Sequence, residues 1–315
     1  MGDTPDANPL VSVVMPIYQA ERHLAEAIES VLAQGFDDFE LLAMDDGSTD
    51  GSLEILGALA DRDDRIRVLE REHEGLVPVL NAGIAAARGK FIARMDADDV
   101  SHPERLERQL AWLQDHPECV AVGTGVDEVD PERRPIRTLT TFTAHEEIDA
   151  RLLAGDGGAL IHGSALYRTE ALRTIGGYRQ ALEGGEDVDL HLRLAEHGRL
   201  ANLPDRLYEY RKNLDSLTSV RRHQMRVNQD AAIQDALARR GWDPESAPPR
   251  PPELPPVPAD VTWAIWSNHA IEAGHLGTAR LYAWKAFRAS PGRHWKLPIR
   301  ATLGIRPYIW SRIRG

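Results

Sequence analysis

The sequence predicts an α/β fold, with a mostly parallel β-sheet flanked by helices and a C-terminal helical appendage. Two observations support this prediction. Over the first 115 residues, short apolar runs of strand length alternate with segments of helical periodicity, which is typical of a parallel sheet covered on both faces. After residue 240, a proline-rich stretch precedes a last segment rich in Trp and Arg.

The first half of the chain supplies the alternating elements. Residues 10–18 are rich in β-branched side chains and bounded by turn residues, which predicts a buried strand. A helix is predicted to follow and to end at Gly35, a common helix stop. The remaining predictions for this half are strands at 39–45, 66–70 and 90–95 and helices at 21–35, 52–61 and 75–89.

The alternation weakens after residue 115. A long polar helix is predicted over residues 220–241, and nearly half of the stretch that follows it is proline, as in a stiff extended linker. The residues after this linker are predicted to be helical. The other predictions for this half are strands at 118–129, 134–142, 158–168 and 200–212 and a helix at 185–198.

Composition and charge limit the classes of function. The single cysteine, Cys119, cannot form a disulfide within the chain. With no basic, apolar leader and no apolar run of membrane-spanning length, we expect a soluble, cytoplasmic protein. The net charge of −12 divides unevenly, because residues 261–315 hold nine Lys or Arg and one acid. The first 260 residues therefore carry −20, which argues against a nucleic-acid partner.

Two acidic clusters follow predicted strands. Asp45 and Asp46 end the second strand, and Asp96, Asp98 and Asp99 follow the fourth. In parallel sheets, ligands bind beyond the carboxyl ends of the strands. Close carboxylates repel one another unless a positive partner lies among them, and oxygen ligands without His or Cys favour Mg²⁺ or Mn²⁺. The alternative is an acidic turn in solvent, with Asp98 or Asp99 capping the next helix.

The first cluster lies in "MDDGSTDG", which has several interpretations. A calcium-binding EF-hand is excluded because Gly57 occupies the twelfth position, where Glu is required. The segment also lacks the glycine spacing of a dinucleotide loop. Ser48, Thr49 or Asp50 is expected to cap the following helix. Helix capping by these residues leaves Asp45 and Asp46 unexplained.

A third cluster lies at the predicted start of the helix at 185–198. Glu186, Asp187 and Asp189 are all favoured there by the helix dipole alone. Asp187 shares a helix face with Leu190 and Leu194, so we expect it to face the core or a cleft. A carboxylate in that setting can serve as a general base.

Taken in order, the motifs resemble the inverting, family 2 glycosyltransferases of the bacterial non-processive type, which have the GT-A fold. The resemblance covers residues 10–215. It implies a nucleotide-sugar-binding half and an acceptor-binding half that carries the catalytic base. The resulting domain prediction is a flexible N-terminus (1–9), the nucleotide-sugar half (10–115), the acceptor half (116–240), a Pro-rich linker (241–260) and a basic, Trp-rich helical tail (261–315).

The same resemblance implies roles for individual residues. Asp187 matches the catalytic base. Asp98 matches the direct metal ligand, and Asp96 matches a residue that contacts the ribose or a metal-bound water. The nucleotide-binding residues would be Pro16, Ile17 and Tyr18 around the base and Asp46 as its hydrogen-bond acceptor, and the acceptor-binding or supporting residues would be Glu186, Arg193 and Asn213.

The implied reaction is metal-dependent transfer of a sugar from a nucleoside-diphosphate sugar to a hydroxyl group. Tyr18 and Asp46 favour a UDP-sugar by resemblance. Mn²⁺ or Mg²⁺ would stabilise the charge that develops on the leaving diphosphate. One carboxylate base suffices for inversion, unlike the two-carboxylate arrangement of glycoside hydrolases. The acceptor would be a glycan or a lipid-linked sugar in polysaccharide or glycolipid biosynthesis.

Two departures from the family pattern refine this expectation. No Q-x-x-R-W motif follows Asp187, so we expect a non-processive enzyme. Asn213 stands where many relatives have a histidine, and Arg211, Lys212 or His223 are candidates for the missing contact. A further histidine, His162, is expected to be half-buried with its hydrogen bonds satisfied rather than a metal ligand.

The sequence leaves more than one interpretation open for the tail and for the overall function. Five of the seven tryptophans lie in residues 261–315, which suits either a helix on an anionic membrane or helices packed on the body or on a second subunit in a homodimer. The alternative functions are a nucleotidyltransferase, for which no basic glycine-rich phosphate loop is evident, and a non-catalytic nucleotide-sugar-binding protein.

Overall fold

The computed structural model describes residues 8–214, 222–243, 245 and 257–306, which divide into two compact units. The first unit comprises the described residues 8–126, 141–208, 223–243 and 245, and the second comprises residues 127–140, 209–214, 222 and 257–306. The predictions for residues 1–7, for most of the linker and for Trp310 lie outside the described residues.

The described residues form nine strands and twelve α-helices, together with three short 3-10 turns. The strands are β1 Val11–Ile17, β2 Phe39–Asp45, β3 Ile66–Glu70, β4 Phe91–Arg94, β5 Val100–Ser101, β6 Cys119–Val129, β7 Pro135–Thr138, β8 Leu166–Arg168 and β9 Arg199–Arg211. The helices are α1 Leu24–Leu32, α2 Ser52–Ala60, α3 Leu76–Ala86, α4 Arg105–Asp115, α5 His145–Leu153, α6 Thr169–Thr174, α7 Glu186–Ala195, α8 Arg222–Arg239, α9 Ala259–Ala273, α10 Leu276–Ala289, α11 Pro291–His294 and α12 Leu297–Leu303.

The strands form one sheet in the order β3-β2-β1-β4-β8-β6-β9-β5, with β7 beside β6. Strand β1 pairs in parallel with β2 and β4, and β2 pairs in parallel with β3. Strand β8 is antiparallel to both β4 and β6. The predicted α/β class is confirmed. The parallel pairing belongs to the alternating first half of the chain, whose strand ends therefore meet at one edge.

Burial explains why the first strands read as continuous apolar runs. All seven residues of β2 are buried, and β1 is buried except for Pro16, because helices cover the sheet. Helix α3 approaches β1 so closely that a Cβ at Gly83 would lie 2.5 Å from Val14 Cγ1. These contacts hold the carboxyl ends of β1 and β2 in fixed positions.

The predicted strand over residues 158–168 is wrong for most of its length. Only Leu166–Arg168 is a strand, and two 3-10 turns precede it. The first turn is capped by Asp156, whose side chain accepts a hydrogen bond from the Gly158 N–H. In the second, the Ala165 N–H donates to the His162 carbonyl. Local hydrogen bonds therefore replaced the ladder that the apolar pattern suggested.

The C-terminal segment of the second unit is helical, as predicted. Small side chains let α9 and α10 pack closely, and Leu297 and Ala301 of α12 join their core. Strand β7 adds Ile136, which packs with Trp266 and Tyr282. No helix in the described ranges is both long and apolar enough to cross a membrane.

Candidate active site

The candidate site begins at the carboxyl end of β2, where Asp45 orders the following turn. Its Oδ2 accepts hydrogen bonds from the Gly47 N–H at 3.1 Å and the Ser48 N–H at 3.0 Å. Gly47 has a φ of 73°, which suits glycine. The Asp45 carboxylate therefore shapes the loop, which accounts for one of the two acids that helix capping left unexplained.

Asp46 binds the loop that precedes α3. Its Oδ1 accepts a hydrogen bond from the Glu74 N–H at 2.8 Å, and its Oδ2 accepts one from the Gly75 N–H at 3.0 Å. The Nδ1 atom of His73 lies 2.8 Å from Oδ2. Asp46 is buried, so these bonds stabilise its charge where water is largely excluded. Its contact with a nucleotide base stays a prediction.

The three residues predicted to surround the base differ in exposure. Ile17 is buried in the core and Pro16 is partly buried, whereas Tyr18 is 48% exposed. The Tyr18 ring stacks on the His73 ring, with centroids 4.2 Å apart and planes 17° apart. The aromatic surface at this sheet edge therefore has two rings, and sequence reasoning identified only the first.

The acids after β4 have separate partners. Asp96 forms an ion pair with Arg94, a buried guanidinium. Burial by itself lowers the Arg94 pKa, but the Asp96 charge more than reverses this, so the net pKa is raised. Asp99 is fully buried and accepts a hydrogen bond from the Tyr208 hydroxyl at 2.7 Å. Asp98 is half-buried in the turn between these two acids.

Tyr208 and Gly163 bring later parts of the chain to this cluster. The Tyr208 oxygen also accepts a hydrogen bond from the Asp96 N–H at 3.3 Å. A Cβ at Gly163 would lie 3.0 Å from Arg94 Nη1 and from Asp96 Oδ2, and closer still to the Tyr208 hydroxyl. Gly163 therefore permits the 3-10 turn at residues 162–164 to pack directly on the ion pair.

Asp96 and Asp98 fit a divalent cation by donor type. Both offer carboxylate oxygens, and both are partly exposed beyond the end of β4. Among the described residues, no three His, Cys, Asp or Glu side chains converge on a metal-sized position. Mg²⁺ is commonly bound by one or two carboxylates, with substrate phosphates and water in the other positions. The donor set therefore suits a metal shared with a phosphate-bearing ligand.

Glu186 and Asp187 lie at the first turn of α7. Glu186 is buried, and burial followed by the neighbouring Asp187 charge raises its pKa to about 7. Asp187 is half-buried and accepts a hydrogen bond from the Val188 N–H at 2.8 Å. Burial raises the Asp187 pKa as well.

The acid pair of α7 is electrostatically linked to the residues after β4. The Arg94 charge opposes the rise of the Asp187 pKa, and the Asp96 charge adds to it. Arg94 also acts against the rise of the Glu186 pKa. The second and third acidic clusters, predicted from distant segments, therefore lie close enough for their charges to interact.

Tyr178 and His162 lie beside this site. The His162 Nε2 atom and the Tyr178 hydroxyl oxygen are 2.6 Å apart. His162 is half-buried with a hydrogen-bond partner, as predicted. Its pKa is well below the usual value, first because of burial and then because of the Arg94 charge. Burial raises the Tyr178 pKa, and the Glu186 and Asp187 charges raise it further.

Arg193 supports the site from within α7. It pairs with the fully buried Asp189 at 2.6 Å and donates to the carbonyls of Ile175 at 2.8 Å and Gly177 at 2.7 Å. Asp189 also pairs with Arg179. These bonds join α7 to the turn at residues 175–177, which precedes Tyr178 and which we call the glycine turn. The remaining supporting candidate, Asn213, lies just after β9 in the second unit.

Sequence reasoning missed four residues of this site. Arg94 had a detectable signal, because it is a charge within the apolar run at 91–95. His73, Gly163 and Tyr208 had none, since each is distant in sequence from the acid that it contacts.

Comparisons with known proteins agree on one family. The profile described as Glycosyl transferase family 2 matches residues 12–176. The Bacillus subtilis (strain 168) protein named as glycosyltransferase EpsE is 39% identical over 217 residues, which cover 67% of this chain and 76% of EpsE. A protein named as a glycosyltransferase in Haemophilus influenzae Rd is 29% identical over 228 residues, or 69% of each chain.

Solved structures share the fold. Staphylococcus aureus TarS 1–349 in complex with UDP-GlcNAc has a TM-score of 0.56 at 16% identity and covers 93% of this chain and 92% of its own. The mannosyltransferase PcManGT from Pyrobaculum calidifontis, in complex with GDP-Man and Mn²⁺, has a TM-score of 0.54 at 20% identity and covers 94% and 86%. The likeness shows the GT-A fold.

Proposed function

This chain belongs to glycosyltransferase family 2, and we propose that it transfers single sugars from a nucleoside-diphosphate sugar to an acceptor hydroxyl with inversion of the anomeric carbon. Its relatives are named glycosyltransferases, so the enzyme class is established. The observation that carries the proposed mechanism is electrostatic. The charges of both Arg94 and Asp96, which lie in residues 10–115, act on the Asp187 carboxylate, which lies in residues 116–240.

We propose that residues 10–115 bind the donor. Tyr18 offers an exposed ring for stacking, and Asp46 lies at the end of the neighbouring strand. A uridine donor follows from this residue pair by resemblance, and TarS, which shares the fold, binds UDP and UDP-GlcNAc. A guanosine donor is the competing possibility, because PcManGT binds GDP-Man.

Mn²⁺ or Mg²⁺ is the proposed cofactor, with Asp98 as its direct ligand and Asp96 as a contact through water or to the ribose. When bound, such a cation supplies positive charge to the departing diphosphate. Arg94 would hold the Asp96 carboxylate in one orientation through their ion pair. The Tyr208 hydroxyl accepts a hydrogen bond from the Asp96 N–H and donates one to the Asp99 carboxylate. Tyr208 would therefore fix the backbone of the same turn.

Asp187 is the proposed general base. Asp187 is partly buried and its pKa is raised, and raised basicity favours proton removal from a hydroxyl. The acceptor hydroxyl would lose its proton to Asp187 as its oxygen forms the bond to the anomeric carbon. The bond from that carbon to the diphosphate would break on the opposite face, which inverts the configuration.

We propose that residues 116–240 bind a glycan or lipid-linked acceptor in cytoplasmic polysaccharide or glycolipid biosynthesis. Glu186 would lie beside the acceptor, and Arg193 would support the adjacent glycine turn. Asn213 is proposed to fill the position of the family histidine. The missing Q-x-x-R-W motif supports a non-processive reaction.

Calorimetric titration of UDP, GDP and dTDP, with Mn²⁺ and then with EDTA, tests the donor site. One nucleotide is expected to bind, and Asp98→Asn should remove the Mn²⁺-dependent part of its affinity. Asp187→Asn should bind the same nucleotide normally yet lower kcat by about 10²–10⁴. No binding with Mn²⁺ present would refute the donor site, and pyrophosphate release from a nucleoside triphosphate would support a nucleotidyltransferase instead.

A further inference from the structure

The second unit carries an exposed row of apolar side chains at its C-terminal end. Trp295, Ile299 and Leu303 follow one another at intervals of four residues and are 52%, 46% and 64% exposed. Side chains four residues apart in a helix lie on one face. Trp295 lies in the two-residue turn that joins α11 to α12, and the other two residues lie on α12. We call these three residues the apolar stripe.

The stripe is separate from the core of the second unit. The core contacts of α12 are made by Leu297 and Ala301, which are buried with the small side chains of α9 and α10. Pro298 is buried as well. Since other residues attach α12 to its unit, the stripe is not needed for that packing. A second exposed tryptophan, Trp284, lies on α10 of the same unit.

The segment that carries the stripe is rich in positive charge, although Asp260 of α9 pairs with Arg293 and His294 just before it. Residues 273–306 contain seven Lys or Arg and no Asp or Glu. The Lys296 ammonium lies 4.9 Å from the centroid of the Trp295 ring, so charge and apolar surface are in direct contact. Lys285 and Arg288 of α10 are exposed. An apolar surface on a segment with an excess of cations matches a partner that offers both negative charge and hydrocarbon.

We propose that the apolar stripe and its cations bind the surface of an anionic phospholipid membrane. Tryptophan is favoured at the boundary between headgroups and acyl chains, where Ile299 and Leu303 would bury their side chains. Lysine and arginine near such a surface are attracted by acidic headgroups. A symmetric contact between two stripes would instead oppose cations to cations. The inference concerns the second unit alone and is independent of the donor and the acceptor.

Co-sedimentation of the full chain with lipid vesicles tests this proposal. One set of vesicles contains phosphatidylcholine alone, and the other also contains phosphatidylglycerol. The unmodified protein should bind the second set and release it as salt is raised. The double variant Trp295→Ser, Ile299→Ser should bind at least about tenfold more weakly, because it removes two insertable side chains.

Two matched controls isolate the surface. Trp242→Ser removes a tryptophan that is 49% exposed in the first unit and should leave vesicle binding unchanged. Lys296→Ala should weaken binding about fivefold through the loss of one cation near the membrane. Lys90→Ala, which removes an exposed lysine of the first unit, should have no effect.

Three results would overturn the proposal. The first is no binding of the unmodified protein to anionic vesicles at low salt. The second is equal binding by the stripe variant, with circular dichroism confirming that both proteins are folded. The third is a dimer in light scattering that the stripe variant loses while vesicle binding is absent, since a second copy would then cover the stripe. None of these assays contains donor or acceptor, so their outcome is distinct from that of the donor-site test.

Discussion

At the scale of single residues, the acids after β4 show how a close set of carboxylates is accommodated. Arg94 neutralises Asp96, and the Tyr208 hydroxyl satisfies the buried Asp99. Carboxylates as close as Asp96, Asp98 and Asp99 need a positive partner, and the sequence indicated only a metal ion for that role. The protein supplies its own cation for one acid and a neutral donor for another. Asp98, half-buried between them, keeps its proposed role as the metal ligand.

Gly163→Ala tests the close packing on this cluster. The new methyl group would lie 3.0 Å from Arg94 Nη1 and Asp96 Oδ2, so the ion pair has to move. We expect a loss of about 1–3 kcal/mol in the free energy of unfolding, measured with urea, and weaker Mn²⁺-dependent nucleotide binding. Gly57→Ala is the control, because nothing lies within 4 Å of its Cβ and it sits inside helix α2. That variant should gain roughly 0.5–1 kcal/mol.

Glu186 predicts a specific dependence of stability on pH. Its carboxyl has a pKa raised from 4.5 to about 7, so the folded state binds more protons than the unfolded state between these values. Stability should therefore fall as pH rises through this window, by up to about 3 kcal/mol. Glu186→Gln removes the titration and should be more stable than the unmodified protein at pH 8 but not at pH 4. A constant difference at both pH values would contradict this account.

At the scale of elements, two of the three acids of α7, Asp187 and Asp189, have different surroundings. Asp189 is fully buried between Arg193 and Arg179, so it holds the helix to the glycine turn. Asp187, two residues earlier, is half-buried, and burial raises its pKa. The helix start therefore combines a structural anchor, Asp189, with the carboxylate that we propose as the general base, Asp187.

Substitutions of Asp187 and Asp189 are expected to have different effects, the first on catalysis and the second on stability. Asp189→Asn leaves the buried Arg193 guanidinium without its ion pair and should cost about 3 kcal/mol or more in thermal or urea unfolding. Asp187→Asn should change stability little and lower the rate of transfer by about 10²–10⁴, measured as UDP release with an acceptor present. If Asp187→Asn destabilises the protein as much as Asp189→Asn does, the assignment of a catalytic base loses its support.

At the scale of the whole molecule, charge is divided along the chain. The first 260 residues carry −20, and residues 261–315 carry +8. A basic appendage agrees with the proposed binding of an anionic membrane by the second unit. The division agrees with the two compact units only in part, because residues 127–140 and 209–214 belong to the second unit.

Ligand binding should stabilise the folded protein as a whole. A nucleotide that binds only the folded state at roughly one hundred times its Kd adds about 2.7 kcal/mol to the free energy of unfolding. We expect UDP with Mn²⁺ to raise Tm in differential scanning calorimetry, and EDTA to reverse the metal-dependent part. Asp98→Asn should show no metal-dependent rise, whereas Asp187→Asn should match the unmodified protein. Equal responses of both variants would contradict the division of roles.

The sequence by itself determined the parallel first half, the helical C-terminus and the positions of three acidic clusters. These depend on local patterns, since strand and helix periods and turn residues act over a few neighbouring positions. The roles predicted for Asp187 and Asp96 depend on ordered motifs of the same local kind, and they stay predictions.

Only the tertiary structure decided which groups share the site. Arg94 and Asp96 form their ion pair at the end of a single strand. Tyr208, however, contacts Asp99 from 109 positions away in the sequence, and His73 contacts Asp46 from 27 positions away. Such contacts follow from how the sheet orders its strands, which no local pattern specifies. The predicted strand at 158–168 failed in part for the same reason. Local hydrogen bonds form the 3-10 turn at residues 162–164, and Gly163 in that turn packs closely on the distant Arg94–Asp96 ion pair.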